Sequence, residues 1–418
     1  MELDTETMKQ VRSLIDHPSL NHTRFMPDVH KGMGCCVGLT SIIKDSLVPN
    51  LVGGDIGCGI SCYPLNTTIK GKKYCILDKI IKEVIPMGKN NINSENVSED
   101  HEWEELYATC NKDYERLIKI PAFQKYTHQG VYFCNEWFED FIKRINSNIT
   151  HDIKSLGSLG SGNHYIEINA NSENMAYITV HSGSRNLGQK VCNYHQKILN
   201  EQSKIDINSF HKKCDKIPKK IKGEERRKLE DEIYKQFKDK VGAKWLEDEK
   251  MFDYLVDMIF TQHFASLNRK VMLRRICEFN DFDYDKDNII ETVHNYIDFN
   301  HNELYLRKGA VSAQEGELCI VSLNMRDGVL LCKGKGNPDW NYSSAHGSGR
   351  ILNRGSASRL SMKQFKREME NVYSTSVNVA TLDESPMAYR DTELVKMCLE
   401  DSVDIIEQLK PIINCKGI

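Results

Sequence analysis

The stretch Gly53-Gly54-Asp55-Ile56-Gly57-Cys58-Gly59 constrains this chain more than any other. Its glycines allow bends that other residues resist, and they set a carboxylate and a thiol three positions apart on one turn, where both can face one point. One divalent ion fits such a pair, or two. Carboxylate oxygen is a hard ligand and thiolate a soft one, so the pair alone leaves the metal open. Strand-forming sequence flanks the turn at 36–43 and 60–65, and a turn between strands is a rigid mount. An isolated DxxC more often marks a buried cysteine in a glycine-rich connection. Here it is accompanied by His164, His181, His294 and His346, each in its own Gly, Ser or Asn setting.

At 418 residues the chain is too long for one ordinary core, which predicts a large α/β domain with inserted elements, or two domains. A hydrophobic share of 40%, a charged share of 28% and a mean hydropathy of −0.51 are those of a soluble globular protein. No run approaches the roughly 20 apolar residues of a membrane span. The first residues, Met1-Glu2-Leu3-Asp4, are acidic where a signal peptide is basic, so the chain reads as cytoplasmic. Its 14 cysteines are scattered without a CxxC pair, which excludes zinc-ribbon and dithiol redox motifs and fits reduced cytosolic thiols. With a net charge of −3, any nucleic-acid partner must be gripped by a local basic patch rather than by the overall field.

Along the chain, 6–15 has helical spacing, and the loop 25–34, with its proline and two glycines, presents Asp28 and His30. The segment 70–138 turns helical and charged, with a loop at 90–96 and a helix over 106–117. Strands are predicted at 165–168 and 176–180, and His294 falls on a further strand. The stretch 190–280 predicts a helical lobe whose charge run at 218–227 reads as a solvated helix pair, or as an RNA-contacting surface. A final helix is predicted over 392–409.

Neutral imidazoles with a thiolate and a carboxylate in one cavity suit two ions sharing the sulfur, and two such ions stabilise displacement at phosphorus from both sides. Glycine loops beside Arg or Lys recur at 182–185, 307–309, 333–336 and 347–350, and such loops cradle phosphate oxygens. There is no GxxxxGK[ST] loop, so a nucleotide is not held in the P-loop manner. The histidine of His346-Gly347-Ser348-Gly349-Arg350 has the setting of a nucleophile that attacks an α-phosphate and carries it covalently.

Met-Pro-Asp-Val-His-Lys-Gly at 26–32, Val-Gly-Gly-Asp-Ile-Gly-Cys-Gly at 52–59, Gly-Ser-Gly-Asn-His-Tyr-Ile-Glu at 160–167, His-Ser-Gly-Ser-Arg at 181–185, Val-His-Asn at 293–295, Arg-Lys-Gly-Ala at 307–310 and Ala-His-Gly-Ser-Gly-Arg at 345–350 occur in the order found in the RtcB family. Over nearly its whole length the chain resembles these GTP- and manganese-dependent RNA ligases of tRNA splicing and RNA repair, in a compact branch with a short N-terminal part. The resemblance implies a single catalytic domain over 1–418, an α+β or α/β architecture of layered sheets, and the helical lobe at about 190–280. It implies one Mn²⁺ on Cys58, His164 and His181, and a second on Asp55, Cys58 and His294. It further implies guanylylation of His346, GTP contacts at Asn163, Tyr165, Glu167, Tyr389 and Lys416, and phosphate- or RNA-side charges at Asp28, Arg185 and Arg350. Asp28 is also the expected group to orient or deprotonate an RNA hydroxyl. The implied partners are RNA with 3′-phosphate or 2′,3′-cyclic phosphate and 5′-hydroxyl ends, and an archease-like helper. Asn324-Met325-Arg326-Asp327-Gly328 departs from the family's usual Gly-Ser-Met turn. Two other functions fit the same residues: a binuclear metallophosphodiesterase that never joins ends, and a catalytically silent RNA-end-binding factor.

Overall fold

The computed structural model describes residues 3–202, 212–218, 221–240, 245–301 and 303–417. Its centre is a seven-stranded antiparallel sheet, in the order Leu318–Ser322, Val329–Gly334, Val403–Lys416, Tyr165–Ala170, Ala176–Ser182, Gly59–Pro64 and Ile290–Val293. These strands are rich in Ile, Val, Leu, Cys and Tyr, and both faces are covered, so they read as near-continuous apolar runs. The two outermost strands approach each other, with Ile320 N donating to Thr292 Oγ1 at 3.0 Å. The sheet is therefore nearly closed into a barrel. A second sheet, in the order Asn21–His30, Val37–Ile43, Leu304–Lys308 and Asn295–Asp298, lies beside it. The fold is mixed α/β, built on these two sheets.

Beneath the central sheet runs a 31-residue helix, Asp248–Glu278, which buries side chains all the way round: Phe252, Met258, Phe264, Val271 and Ile276 are each almost wholly covered. A helix apolar on every side belongs in a core, and this one packs on the helix Asp100–Leu117 as well as on the sheet. The second part of the stretch expected as a helical lobe, about 190–280, is this core helix. Parts of that stretch, at 203–211, 219–220 and 241–244, lie outside the described residues.

The predicted C-terminal helix is corrected. It ends at Leu399, and after a turn the chain becomes the strand Val403–Lys416 in the middle of the central sheet. Val403, Ile405 and Ile406 are β-branched and favour the pleat, while Pro411 sits at a register shift where a ladder N–H is dispensable.

Antiparallel pairing brings five functional stretches to one end of the central sheet. Cys58 precedes Gly59, His164 precedes Tyr165, His181 and Lys416 lie in the last residues of their strands, and His294 follows Val293. In register, Lys416, Tyr165, His181, Ile60 and Thr292 form one row across five strands. Ends that start and stop in register must meet.

Candidate metal centre and nucleotide cavity

The Asp55–Cys58 turn is closed by Cys58 N–H donating to Asp55 O at 3.2 Å, with Gly57 at φ 73°, a conformation a side chain would resist. A Cβ at Gly57 would also strike the backbone of Gln262 on the long helix, so the turn lies against that helix. On the other side, Asp55 packs over Gly183, where a Cβ would collide with its carboxylate.

The donor atoms converge. Cys58 Sγ lies 3.5 Å from His164 Nε2 and 3.4 Å from His181 Nε2. His181 Nε2 lies 3.4 Å from His294 Nε2, and His164 Nε2 lies 3.1 Å from Asp55 Oδ2. Ligands bound at about 2.0–2.3 Å around one cation stand apart by about this much, so the donor set fits a metal before one is present. Leu159 O accepts from His164 Nδ1 at 3.0 Å, which turns Nε2 inward. Among the described residues, Nδ1 of His181 and of His294 has no hydrogen-bond partner.

Electrostatics favour ligation too. Burial, reinforced by the neighbouring imidazoles, pushes His181 and His294 well below the usual histidine range, leaving them neutral, which is the form that binds metal. Burial and the Asp55 charge push the Cys58 thiol well up, so a bound cation is what would release its proton. Burial works to raise Asp55, yet the hydrogen bond and charge of His164 hold it at about 2.

His346 completes the group. It follows the strand Ser343–Ala345 and is docked on the edge of the central sheet by Ser322 N donating to His346 O at 2.9 Å. Its ring centroid is 4.8 Å from that of His294. Nδ1 lies 2.5 Å from Asp28 Oδ2, a charge contact without hydrogen-bond geometry, and Nε2 is the ring nitrogen on the other side from that carboxylate. Asp28 is fully buried and also accepts from Gly347 N at 3.2 Å. It therefore stands behind His346 and does not line the cavity.

Above His346 opens a cavity of about 690 Å³, a size that accommodates a nucleotide-sized ligand. Asn163, Tyr165, Glu167, Arg350, Tyr389 and Lys416 all line it. Burial pushes the Glu167 carboxyl up to about 7, although Asn169 Nδ2 and Asn414 Nδ2 donate to its oxygens at 2.9 and 2.8 Å. Arg185 does not line the cavity; its Nε donates to Ser158 Oγ at 3.1 Å, behind Gly160.

Several residues that organise the site carry no sequence signal. Glu384 is the hub of the cavity wall: Tyr389 Oη donates to it at 2.6 Å, Lys416 Nζ lies at 3.2 Å, Arg350 Nη1 at 3.1 Å and Arg354 Nη1 at 2.7 Å. Those cations outweigh burial and hold its carboxyl at about 2. Arg269, from the long helix, donates to Gly57 O at 2.9 Å, Ser182 O at 2.8 Å and Ser61 Oγ at 3.1 Å, and pairs with Glu291 at 2.5 Å. It ties the Cys58 turn to the end of the His181 strand. Asn268 beside it donates to Ser158 O, Ser182 Oγ and Gly183 O at 3.1–3.2 Å.

Comparison with known proteins bears on what this geometry does. Residues 10–417 match the family described as "RtcB: tRNA-splicing ligase RtcB". The "RNA-splicing ligase RtcB" of Escherichia coli strain K12 is 27% identical, over 95% of this chain and 90% of its own. The "tRNA-splicing ligase RtcB" of Nanoarchaeum equitans is 23% identical over 99% of this chain and 93% of its own.

Proposed function

Because the chain belongs to the RtcB family, we propose that it is a GTP- and Mn²⁺-dependent RNA ligase that joins 3′-phosphate or 2′,3′-cyclic phosphate ends to 5′-hydroxyl ends in RNA repair or tRNA splicing. The observation that carries this reading is the position of His346: its ring centroid is 4.8 Å from that of His294 in the metal-competent cluster, its Nδ1 lies against the Asp28 carboxylate, and it lines a cavity walled by Arg350 and Lys416. A binding protein has no need of a nucleophile held in this way.

Cys58, His164 and His181 would hold one Mn²⁺, and Asp55, Cys58 and His294 the second, supplying Lewis-acid stabilisation of phosphoryl oxygens when bound. The protein's own residues do the rest. His346 Nε2 attacks the α-phosphorus of GTP; an N–P bond forms, the bond to the β-phosphate oxygen breaks, and pyrophosphate leaves. Asp28, whose carboxylate lies 2.5 Å from Nδ1, offsets the positive charge that develops on the ring. Asn163, Tyr165, Glu167, Tyr389 and Lys416 are the nucleoside contacts, with Glu384 fixing Lys416 and Tyr389 in place. GMP next passes to an RNA 3′-phosphate oxygen, the N–P bond breaking as the anhydride forms; a cyclic phosphate is first opened by water. Attack of the 5′-hydroxyl on the RNA phosphorus then makes the phosphodiester and releases GMP. Arg350, which lines the cavity, would meet a phosphate, and an archease-like helper would act at the guanylylation step.

Incubation with Mn²⁺ and GTP labelled at the α-phosphate tests this reading. The protein should retain label through denaturation, lose it in His346→Ala, and seal a 3′-phosphate RNA to a 5′-hydroxyl RNA. Opening of cyclic phosphate without any label would instead mean a metallophosphodiesterase.

A further inference from the structure

The ligase reading leaves open where the body of the RNA lies, and the charge distribution supplies a surface. Between Ile351 and Arg367 the sequence has Arg354, Arg359, Lys363, Lys366 and Arg367 and no acidic residue, in a chain whose net charge is −3. Arg354 is engaged by Asp383 and Glu384 in the cavity wall. Arg359, Lys363, Lys366 and Arg367 are exposed and make no ion pair among the described residues. Glu368, next along, is taken up by Arg326.

This patch is mounted on the cavity. In the helix Met362–Glu368, Ser361 caps the start and Phe365 points inward, fully buried against Met325, Met369, Val372 and Leu382. Met325 lines the cavity, and Leu382 belongs to the turn Val379–Glu384 that carries Glu384. Lys363, Lys366 and Arg367, at i, i+3 and i+4, therefore share the opposite, outer face. Ile351, Leu352, Asn353 and Arg354 line the cavity and lead straight into this segment. A solvated helix face normally interleaves both signs of charge, and this one does not.

We propose that Arg359, Lys363, Lys366 and Arg367 form the docking track for the RNA strand, binding successive backbone phosphates as the strand runs from the cavity mouth over the helix Met362–Glu368. The contacts are to phosphate and carry no sequence preference. The track accounts for how an acidic protein engages a polyanion: the attraction is concentrated at one rim of the site. The inference rests on the ligase reading.

The test neutralises the track with Arg359→Gln, Lys363→Gln, Lys366→Gln and Arg367→Gln together, since glutamine keeps helix propensity on an exposed face. Two quantities are measured: guanylylation by labelled GTP without RNA, and binding of a fluorescent single-stranded 3′-phosphate RNA across a salt series. The expected result is guanylylation at the parental rate with weakened RNA binding. The salt slope should flatten by about 0.7 per phosphate, or about 2.8 in all, so that the affinity lost between 50 and 200 mM salt is about 50-fold smaller than for the parent. Unchanged affinity and slope in a variant that still guanylylates overturns the proposal. So does an equal loss on neutralising Lys222, Arg227 and Lys228 at the helix Gly223–Lys240, which would mean a general field. A parent protein that takes no label at all fails the ligase reading itself, and the track with it.

Discussion

Replacing Arg269 with methionine probes whether the metal cluster depends on a buried strut behind it. The guanidinium is fully covered and spans the Cys58 turn, the end of the His181 strand and Glu291. Methionine matches its length but donates nothing. The carbonyls of Gly57 and Ser182 each lose a donor, at about 1 kcal/mol or more apiece, and Glu291 loses its charge partner, for a total of about 3–5 kcal/mol. Over 418 residues, an unfolding entropy of about 2.1 cal/mol/K per residue turns that into a fall in Tm of about 3–6 °C. Since the same bonds hold the Asp55–Cys58 turn against the His181 strand, Mn²⁺ affinity should also fall, by about 10–100-fold. Scanning calorimetry and titration calorimetry with Mn²⁺ read the two effects separately, and Arg269→Lys should recover part of the first. A Tm within about 1 °C of the parent, with Mn²⁺ affinity unchanged, would refute the strut.

Three further outcomes follow from the same geometry. Asp28→Asn should slow guanylylation by about 10²–10⁴-fold with little change in KM for GTP, measured by single-turnover labelling, because the charge that holds His346 Nδ1 is gone. Cys58→Ala should abolish activity and Mn²⁺ binding, whereas Cys62→Ala, buried four residues further along and contacted by Thr179 Oγ1 at 3.7 Å, should leave both nearly intact; equal loss would contradict the ligand assignment. Glu384 is depressed from 4.5 to about 2, so the stability it contributes is present above pH 4.5 and lost as pH falls toward 2, an effect of about 3 kcal/mol. Melting curves of Glu384→Gln should lack that acid limb, while showing lower stability than the parent at pH 7.

The convergence of Cys58 with the histidines was legible in the sequence because each histidine stands in a glycine-, serine- or asparagine-rich break, and such breaks at strand ends mark where chains converge. Cys58, His164, His181 and His294 do meet, and His346 stands beside them. Arg269 and Asn268 were not legible, since a helix buried on all sides has no periodic stripe to show which polar residue faces a functional turn. Glu384 was hidden for a related reason: its partners Arg350 and Arg354, Tyr389 and Lys416 come from three stretches of the chain, and only Tyr389, five residues away, is local to it. Residues 403–409 read as helix because Val403, Ile405, Ile406 and Leu409 continue the apolar spacing of the preceding helix, and pairing with the strands on either side overrode that local signal. Asp28 was singled out by its loop, but its burial under His346 shows only in three dimensions.

The central claim is that one sulfur serves two metal ions beside a histidine that becomes guanylylated. Anomalous diffraction at the manganese edge, from crystals grown with Mn²⁺ and GTP, tests it most directly. The account predicts two manganese peaks, each within bonding distance of Cys58 Sγ, and continuous density from His346 Nε2 to phosphorus. Manganese bound away from Cys58, or a guanylyl group attached to any other residue, would contradict it.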